Sequence, residues 1–321
     1  MKFLSKLYQF SSSWTGTILI VAFVIFFVAQ AFIIPTRSMV GTLYEGDMLF
    51  VKKFAYGIPI PRIPWVELPV LPDFRGDGHL LEGERPKRGD IVVFIPPHEP
   101  KTYYVKRNFA IGGDEVIWNE EGFFLRPAGG DEEIERLFPQ AQKREILGKT
   151  FIKHPYMAEH LGIAYFKKNV RFQEALNALS FDGNEWSIVG TCQNEKTKEL
   201  YECKQNFSMI PIQANGSRVD ANTLYALNDV MFYKKISKDE FFMIGDNRDN
   251  SLDSRYWGSV PYSKIIGTPW LVYFSLNLNN SKEAQERAEI LGKDEGWWKY
   301  TVRWNRVFKT VEGLERQLGR E

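Results

Sequence analysis

The chain is poor in histidine and cysteine, has no surplus of either charge, and carries a single long apolar run. Four His and two Cys exclude a Cys/His zinc module of ordinary spacing. With 41 Lys+Arg against 40 Asp+Glu the net charge is +1, which offers no one-signed field for a phosphate backbone, so no nucleic-acid partner is expected. There is no P-loop, no dinucleotide-type glycine pattern and no internal repeat. What is present is an ordinary globular mixture, 44% hydrophobic and 25% charged, which excludes disorder for most of the chain. Aromatic residues reach 15%, a level that favours β-structure or contact with an interface.

The apolar run is Trp14 to Ile34, WTGTILIVAFVIFFVAQAFII, 21 residues without a charge. As a helix rising about 1.5 Å per residue it spans a hydrocarbon core of roughly 30 Å. It is longer than a cleaved signal h-region, and Ala31-Phe32-Ile33 breaks the small-x-small pattern of a cleavage site. We therefore expect a retained anchor at 14–34. A short basic N-terminus (1–13, with Lys2 and Lys6) is expected to stay in the cytoplasm and the C-terminal bulk to lie outside. No later apolar run is long enough to span a bilayer.

Beyond residue 34 the pattern is β-rich. Met48–Lys52, Ile91–Ile95, Tyr103–Lys106, Glu115–Trp118, Phe241–Ile244 and Trp270–Leu276 are short strand-like runs, punctuated by Gly46-Asp47, Gly89-Asp90, Gly112-Gly113-Asp114 and Gly245-Asp246-Asn247. The expected fold is mainly β: a single N-terminal transmembrane helix, then an antiparallel-sheet domain with a β-rich inserted subdomain. The expected boundaries are 35–119 and 236–280 for the core, 120–235 for the insertion and 281–321 for the tail. In the tail, Trp297, Trp298 and Trp304 interleaved with Lys and Arg suit the headgroup layer of a membrane. Cys192 and Cys203, ten residues apart, are expected to form a disulfide on the outer side of the membrane.

Three clusters carry chemistry: Pro35-Thr36-Arg37-Ser38-Met39 just after the anchor, Tyr104-Val105-Lys106-Arg107 on a strand, and the polar loop from Gly245 to Arg255. Each alone reads as an ordinary loop or edge. Together, the segments PTRSMVGTLYEGDMLFVKKFAYG (35–57), KRGDIVVF (87–94), YVKRNFAIGGDEV (104–116) and GDNRDNSLDSRYWG (245–258) resemble type I (leader) signal peptidase, a family of serine/lysine-dyad membrane proteases. The resemblance covers the anchor, about 35–118 and about 240–275. It departs at Gly112-Gly113-Asp114, where many members have Pro-Gly-Asp.

The resemblance implies Ser38 as nucleophile and Lys106 as general base. It implies Thr36 as an oxyanion-hole hydroxyl beside the Ser38 N–H, Ser251 as the hydroxyl orienting the lysine amine, and Asp253 with Arg255 as a supporting charged pair. Phe32, Ile34, Met39, Leu49 and Val105 are its substrate-pocket candidates. It implies no cofactor and no metal. Its partners are exported preproteins emerging from the translocation machinery, together with membrane lipid. Its location is the bacterial cytoplasmic membrane, with the catalytic domain on the periplasmic side. Residue chemistry agrees: a serine needs a base, and no histidine lies near any motif. A lysine serves only when neutral, so its pKa must fall about three units from roughly 10.4. Tyr103, Tyr104 and Val105 are suitable apolar neighbours, and Arg107 is expected to stay wet on the opposite strand face. The competing readings are a family member dedicated to one substrate, such as a pilin-maturation peptidase, and a non-catalytic single-pass binding module.

Overall fold

Alternation of burial builds the first sheet. The computed structural model describes residues 9–63, 68–165, 170–183, 185–193, 200–219, 229–278 and 300–318. In the strand Asp47–Lys52, buried Asp47, Leu49 and Val51 alternate with half-buried Met48, Phe50 and Lys52, the period of a strand with one face on a core. It pairs antiparallel with Ala29–Ile33 on one side and with the long strand Ile265–Leu278 on the other. The sheet continues through Ile91–Phe94, Tyr104–Ile111, Glu240–Ile244 and Val260–Pro261. Every residue of Ile91–Phe94 and every residue from Lys106 to Ala110 is buried, so both faces of this central part are covered.

A second antiparallel sheet runs Ile210–Gln213, Val230–Lys235, Glu115–Asn119, Gly122–Arg126, Lys149–Lys153, Lys143–Ile146. It begins at Glu115, earlier than the insertion boundary expected from the sequence, because Glu115–Asn119 pairs with Val230–Lys235 and Gly122–Arg126. Phe109, Ala110, Phe242 and Ile244 of the first sheet pack into the same core as Trp118, Phe123 and Phe232 of the second. Leu179–Phe181, Trp186–Gln193 and Leu200–Asn206 form a third, smaller sheet. Cys203 on it is disulfide-bonded; the Cys192 side chain lies outside the described residues.

The N-terminal segment differs from expectation. A helix starts at Trp14, capped by Ser13, whose Oγ accepts from the Gly16 N–H at 3.0 Å. After Phe23 it passes into a π-helical turn, Val24–Val28. It does not run to Ile34: Ala29–Ile33 is a strand at the edge of the first sheet, its register setting Phe32 against Leu49. A run that is apolar throughout carries no period, so the sequence could not separate its helical part from its strand part. Pairing with Asp47–Lys52 decides it. Among the described residues no helix is long and apolar enough to cross a membrane. The helix is nonetheless apolar and uncovered, with Ile18 63% and Phe23 58% exposed.

The described part of the tail, 300–318, folds back onto the first sheet instead of lying wholly in the headgroup layer; Trp297 and Trp298 lie outside the described residues. Arg306 is buried and grips Asp47 with Nε at 3.1 Å and Nη2 at 2.6 Å, while Nη2 also donates to the Thr42 carbonyl at 2.9 Å. Ser275 Oγ donates to the same carboxylate at 2.6 Å. Arg303 donates to the carbonyls of Glu45 and Leu276. These two basic residues are therefore not free for lipid headgroups, although Trp304 and Phe308 remain exposed. Removing one partner of a buried pair leaves an uncompensated charge. Asp47→Ala is expected to lower unfolding stability by about 3–5 kcal/mol. Arg316→Ala, which breaks the exposed Glu312–Arg316 pair of the last helix, should change it by less than about 0.5 kcal/mol. Denaturant unfolding of the detergent-solubilised chain compares the two, and equal effects would contradict this account.

Candidate active site

Ser38 sits on a tight loop held from both ends. The Val40 N–H donates to the Arg37 carbonyl at 3.1 Å and the Leu43 N–H to the Met39 carbonyl at 2.9 Å. Met39 and Leu43 are buried with Ile34, Leu49, Val51, Ile91 and Val93. Burying these neighbours leaves the polar Ser38 at the lip of a cavity. The loop's carbonyls are tied down by the Gly245–Arg255 segment: Asn247 donates its backbone N–H to Ser38 O at 3.1 Å and its side-chain Nδ2 to Arg37 O at 3.2 Å.

Lys106 comes from the central strand Tyr104–Ile111, 68 residues away, and its Nζ lies 2.6 Å from Ser38 Oγ. The amine also donates to the Val105 carbonyl at 3.1 Å and sits 5.2 Å from the centre of the Tyr104 ring. Only 4% of Lys106 is exposed. Burial lowers its pKa from 10.5 to about 8; Asp253 and Asp246 oppose the shift and Arg255 adds to it. Thr36 Oγ1 lies 3.3 Å from Ser38 Oγ.

Arg107 is not wet. It is 1% exposed and makes a bidentate pair with Asp246, Nε at 2.7 Å and Nη2 at 2.8 Å. It also donates to the Gly89 carbonyl at 2.7 Å and to Glu315 of the C-terminal helix at 2.6 Å. Strand alternation puts Lys106 and Arg107 on opposite faces, but both faces of this strand are covered. Burial pushes the Asp246 carboxyl up, and Arg107, the Thr42 hydroxyl and Arg248 together more than offset it, so its pKa stays below the ordinary value. Thr42 Oγ1 donates to the same carboxylate at 2.6 Å.

A bulge between Phe242 and Met243 sets Ile244 opposite Arg107, so the next residue, Gly245, falls beside Lys106. A Cβ built there would meet Ser251 Oγ at 2.3 Å and Ser38 O at 2.4 Å. Glycine is thus required by the close approach of the two loops. Asp253 and Arg255 form a fully buried pair, with Nε to Oδ1 at 2.7 Å and Nη2 to Oδ2 at 2.9 Å; Asp253 also accepts from the Gly245 N–H at 3.2 Å. Ser251 is beside them, its Oγ buried and without a hydrogen-bond partner, while the lysine amine uses Ser38 and Val105.

A cavity of about 610 Å³ opens onto the pair. Phe32, Ile34, Met39 and Val105 line it; Leu49 does not, being part of the core beneath. Ile33, Tyr103, Tyr104 and Leu252 line it as well, as do Thr36, Ser38 and Lys106. Sequence reasoning did not assign Thr42, Asp246, Asn247 or Glu315 to the site. Asp246 and Asn247 lie within the recognised loop motif, but nothing local marks the carboxylate as a partner for Arg107, 139 positions away.

Comparison with known proteins gives a consistent set of relatives. The family described as "Signal peptidase, peptidase S26" matches residues 7–274. The signal peptidase I of Helicobacter pylori strain J99 is 56% identical over 324 residues, covering 100% of this chain and 99% of that protein. That of strain 26695 is 55% identical with the same coverage. The signal peptidase I of Buchnera aphidicola subsp. Baizongia pistaciae is 29% identical over 317 residues, covering 94% of this chain and 86% of that protein.

The Gly245 contact makes its own test. Gly245→Ala overpacks the junction and is expected to lower stability by about 1–3 kcal/mol. It should also release the Asn247 amide from Ser38, so hydrogen exchange at that amide should quicken. Unchanged Asn247 protection would show that the clash is absorbed elsewhere.

Proposed function

This chain belongs to the signal peptidase family, peptidase S26, and from that premise we propose how it works residue by residue. It is a serine endopeptidase that removes signal peptides from exported preproteins. The observation that carries the mechanism is the 2.6 Å approach of Lys106 Nζ to Ser38 Oγ in a site where burial disfavours the charged amine.

In this reading neutral Lys106 takes the Ser38 hydroxyl proton as Oγ attacks the scissile carbonyl. Negative charge gathers on the former carbonyl oxygen, which the Ser38 N–H and the Thr36 hydroxyl receive. The amine then returns its proton to the leaving nitrogen, and the mature protein departs. A water molecule, deprotonated by the same lysine, hydrolyses the acyl-enzyme. Ser251 is the hydroxyl that holds the amine when Ser38 turns to substrate, a role suited to a buried oxygen that otherwise bonds nothing. Asp253 and Arg255 anchor that loop. Phe32, Ile34, Met39 and Val105 form shallow apolar walls that admit the small side chains of an Ala-x-Ala-type site and reject larger ones.

The reading also seats the exposed apolar helix from Trp14 to Val28 in the bacterial cytoplasmic membrane, N-terminus inside, with the site outside, where preproteins leave the translocation machinery. What supports it is apolar exposure with no charged residue between Trp14 and Ile34. The 120–235 region is read as an insertion and Cys192–Cys203 as its disulfide.

Two outcomes follow. Cleavage of a preprotein with an Ala-x-Ala site should fall by at least about a thousandfold in Ser38→Ala and in Lys106→Ala, both still folded by circular dichroism. Residual cleavage within tenfold of wild type would remove the dyad. Activity requires the deprotonated amine, so kcat/KM should rise with pH through about 8 and level off above it. A profile flat from pH 6 to 10 would contradict the assignment of Lys106 as base.

A further inference from the structure

The Gly245–Arg255 loop contains a cation that the dyad does not use. Arg107 and Arg255 each face a carboxylate. Arg248 does not. It is 1% exposed, yet its Nε and Nη2 are buried without a hydrogen-bond partner. Asp246, two positions away, is taken up by both arms of Arg107. The Arg248 guanidinium carbon lies 5.4 Å from the ring centres of both Phe109 and Phe123. These faces offset part of the burial, but they supply no acceptor, and a buried charge without one is strongly disfavoured.

Arg248 borders a cavity of about 300 Å³, separate from the one at Ser38 and lined in part by Trp118, Lys153, Tyr165, Arg171 and Arg255. Tyr165 adds a second unmatched donor: its hydroxyl is buried, only the Phe123 backbone approaches its oxygen, and its O–H has no acceptor. Acidic side chains also reach the wall, namely Glu120, Glu121 and Asp249. Of these, Glu121 is already engaged by Lys153 at 2.6 Å and by Arg144 at 3.0 Å. Arg171 donates its Nε to the Asp249 carbonyl and its Nη1 to Glu174.

We propose that this cavity binds a phosphate-type oxyanion, free or as the headgroup of an anionic phospholipid, with two oxygens on Arg248 and a third on Tyr165. Nε and Nη2 are the two donors of one guanidinium edge, and their parallel N–H bonds match two oxygens of a single anion. The Tyr165 O–H is a third, uncharged donor. Lys153, Arg171 and Arg255 are each already paired with a carboxylate, so the unmatched donors the cavity offers are those of Arg248 and Tyr165. The ligand sits under the loop whose Asn247 holds the Ser38 carbonyl, so it stiffens that loop by giving Arg248 the partner it lacks.

Thermal unfolding of the full detergent-solubilised chain tests this. Inorganic phosphate is titrated at constant ionic strength, made up with chloride. A saturable rise in unfolding temperature beyond chloride is expected. Tyr165→Phe should raise the half-saturating concentration about tenfold, the worth of one hydrogen bond to a charged group. Arg248→Gln should abolish the rise, and Tyr165→Phe, which keeps the buried cation, is decisive on its own where Arg248→Gln does not fold. A second arm adds phosphatidylglycerol to phosphate-free micelles. A Tyr165-dependent rise with lipid and none with phosphate assigns the headgroup as the source, and the reverse assigns the free ion. No specific rise in either arm, or one equal in wild type and Tyr165→Phe, would overturn the site and leave the cavity to water.

Discussion

The structure around Ser38 depends on one interaction, the burial of the Lys106 amine against the Ser38 hydroxyl at 2.6 Å. A strand covered on both faces provides it. Val92 and Phe94 are buried on the neighbouring strand, the Ser38 loop covers the amine, and Gly245 lets the next loop close to van der Waals distance. With roughly 4% of the residue exposed, desolvation outweighs the pull of Asp253 and Asp246 on the amine. Those carboxylates are themselves largely neutralised, one by Arg255 and the other by Arg107. A free carboxylate in either place would favour the charged form of Lys106.

The same buried pairs register the fold. Arg107–Asp246 ties the central strand to the loop after Glu240–Ile244, and Asp253–Arg255 closes that loop on itself. Asp47–Arg306 brings the tail under the Ser38 turn. Buried ion pairs contribute little net stability beside apolar packing of the same volume. Their effect here is positional, because each has one geometry in which all its donors and acceptors are matched. Glu315 extends the first of them to the last helix and to His160, so the last helix contacts the network that flanks Ser38 and Lys106.

Much of this was legible in the sequence, and the illegible parts have physical causes. Leu49, Val51, Val92 and Phe94 announce strands through their spacing and their turn-forming neighbours, since period two is a local property. Ser38, Lys106 and the Gly245–Arg255 loop were legible as motifs. The end of the N-terminal helix was not, because Val28 and Ala29 sit in an unbroken apolar run and only pairing with Lys52 makes the latter a strand. Arg107 read as a wet edge residue because one strand does not reveal whether its second face is covered. Leu49 read as a pocket wall for the same reason: burial belongs to the assembled sheet.

By itself the sequence determined the residue types available for chemistry, the mainly antiparallel character of the fold and the absence of histidine from the motif segments, all of which rest on local pattern and composition. Only the tertiary structure decided which atoms meet. Ser38 and Lys106 are 68 positions apart, and Arg107 and Asp246 139 apart. Contact at such separations depends on strand order, a bulge at Phe242–Met243 and a glycine with no room for a Cβ. Lys106's altered basicity follows from the same closure, since desolvation depends on everything packed around the amine and on nothing in its neighbours' identity alone.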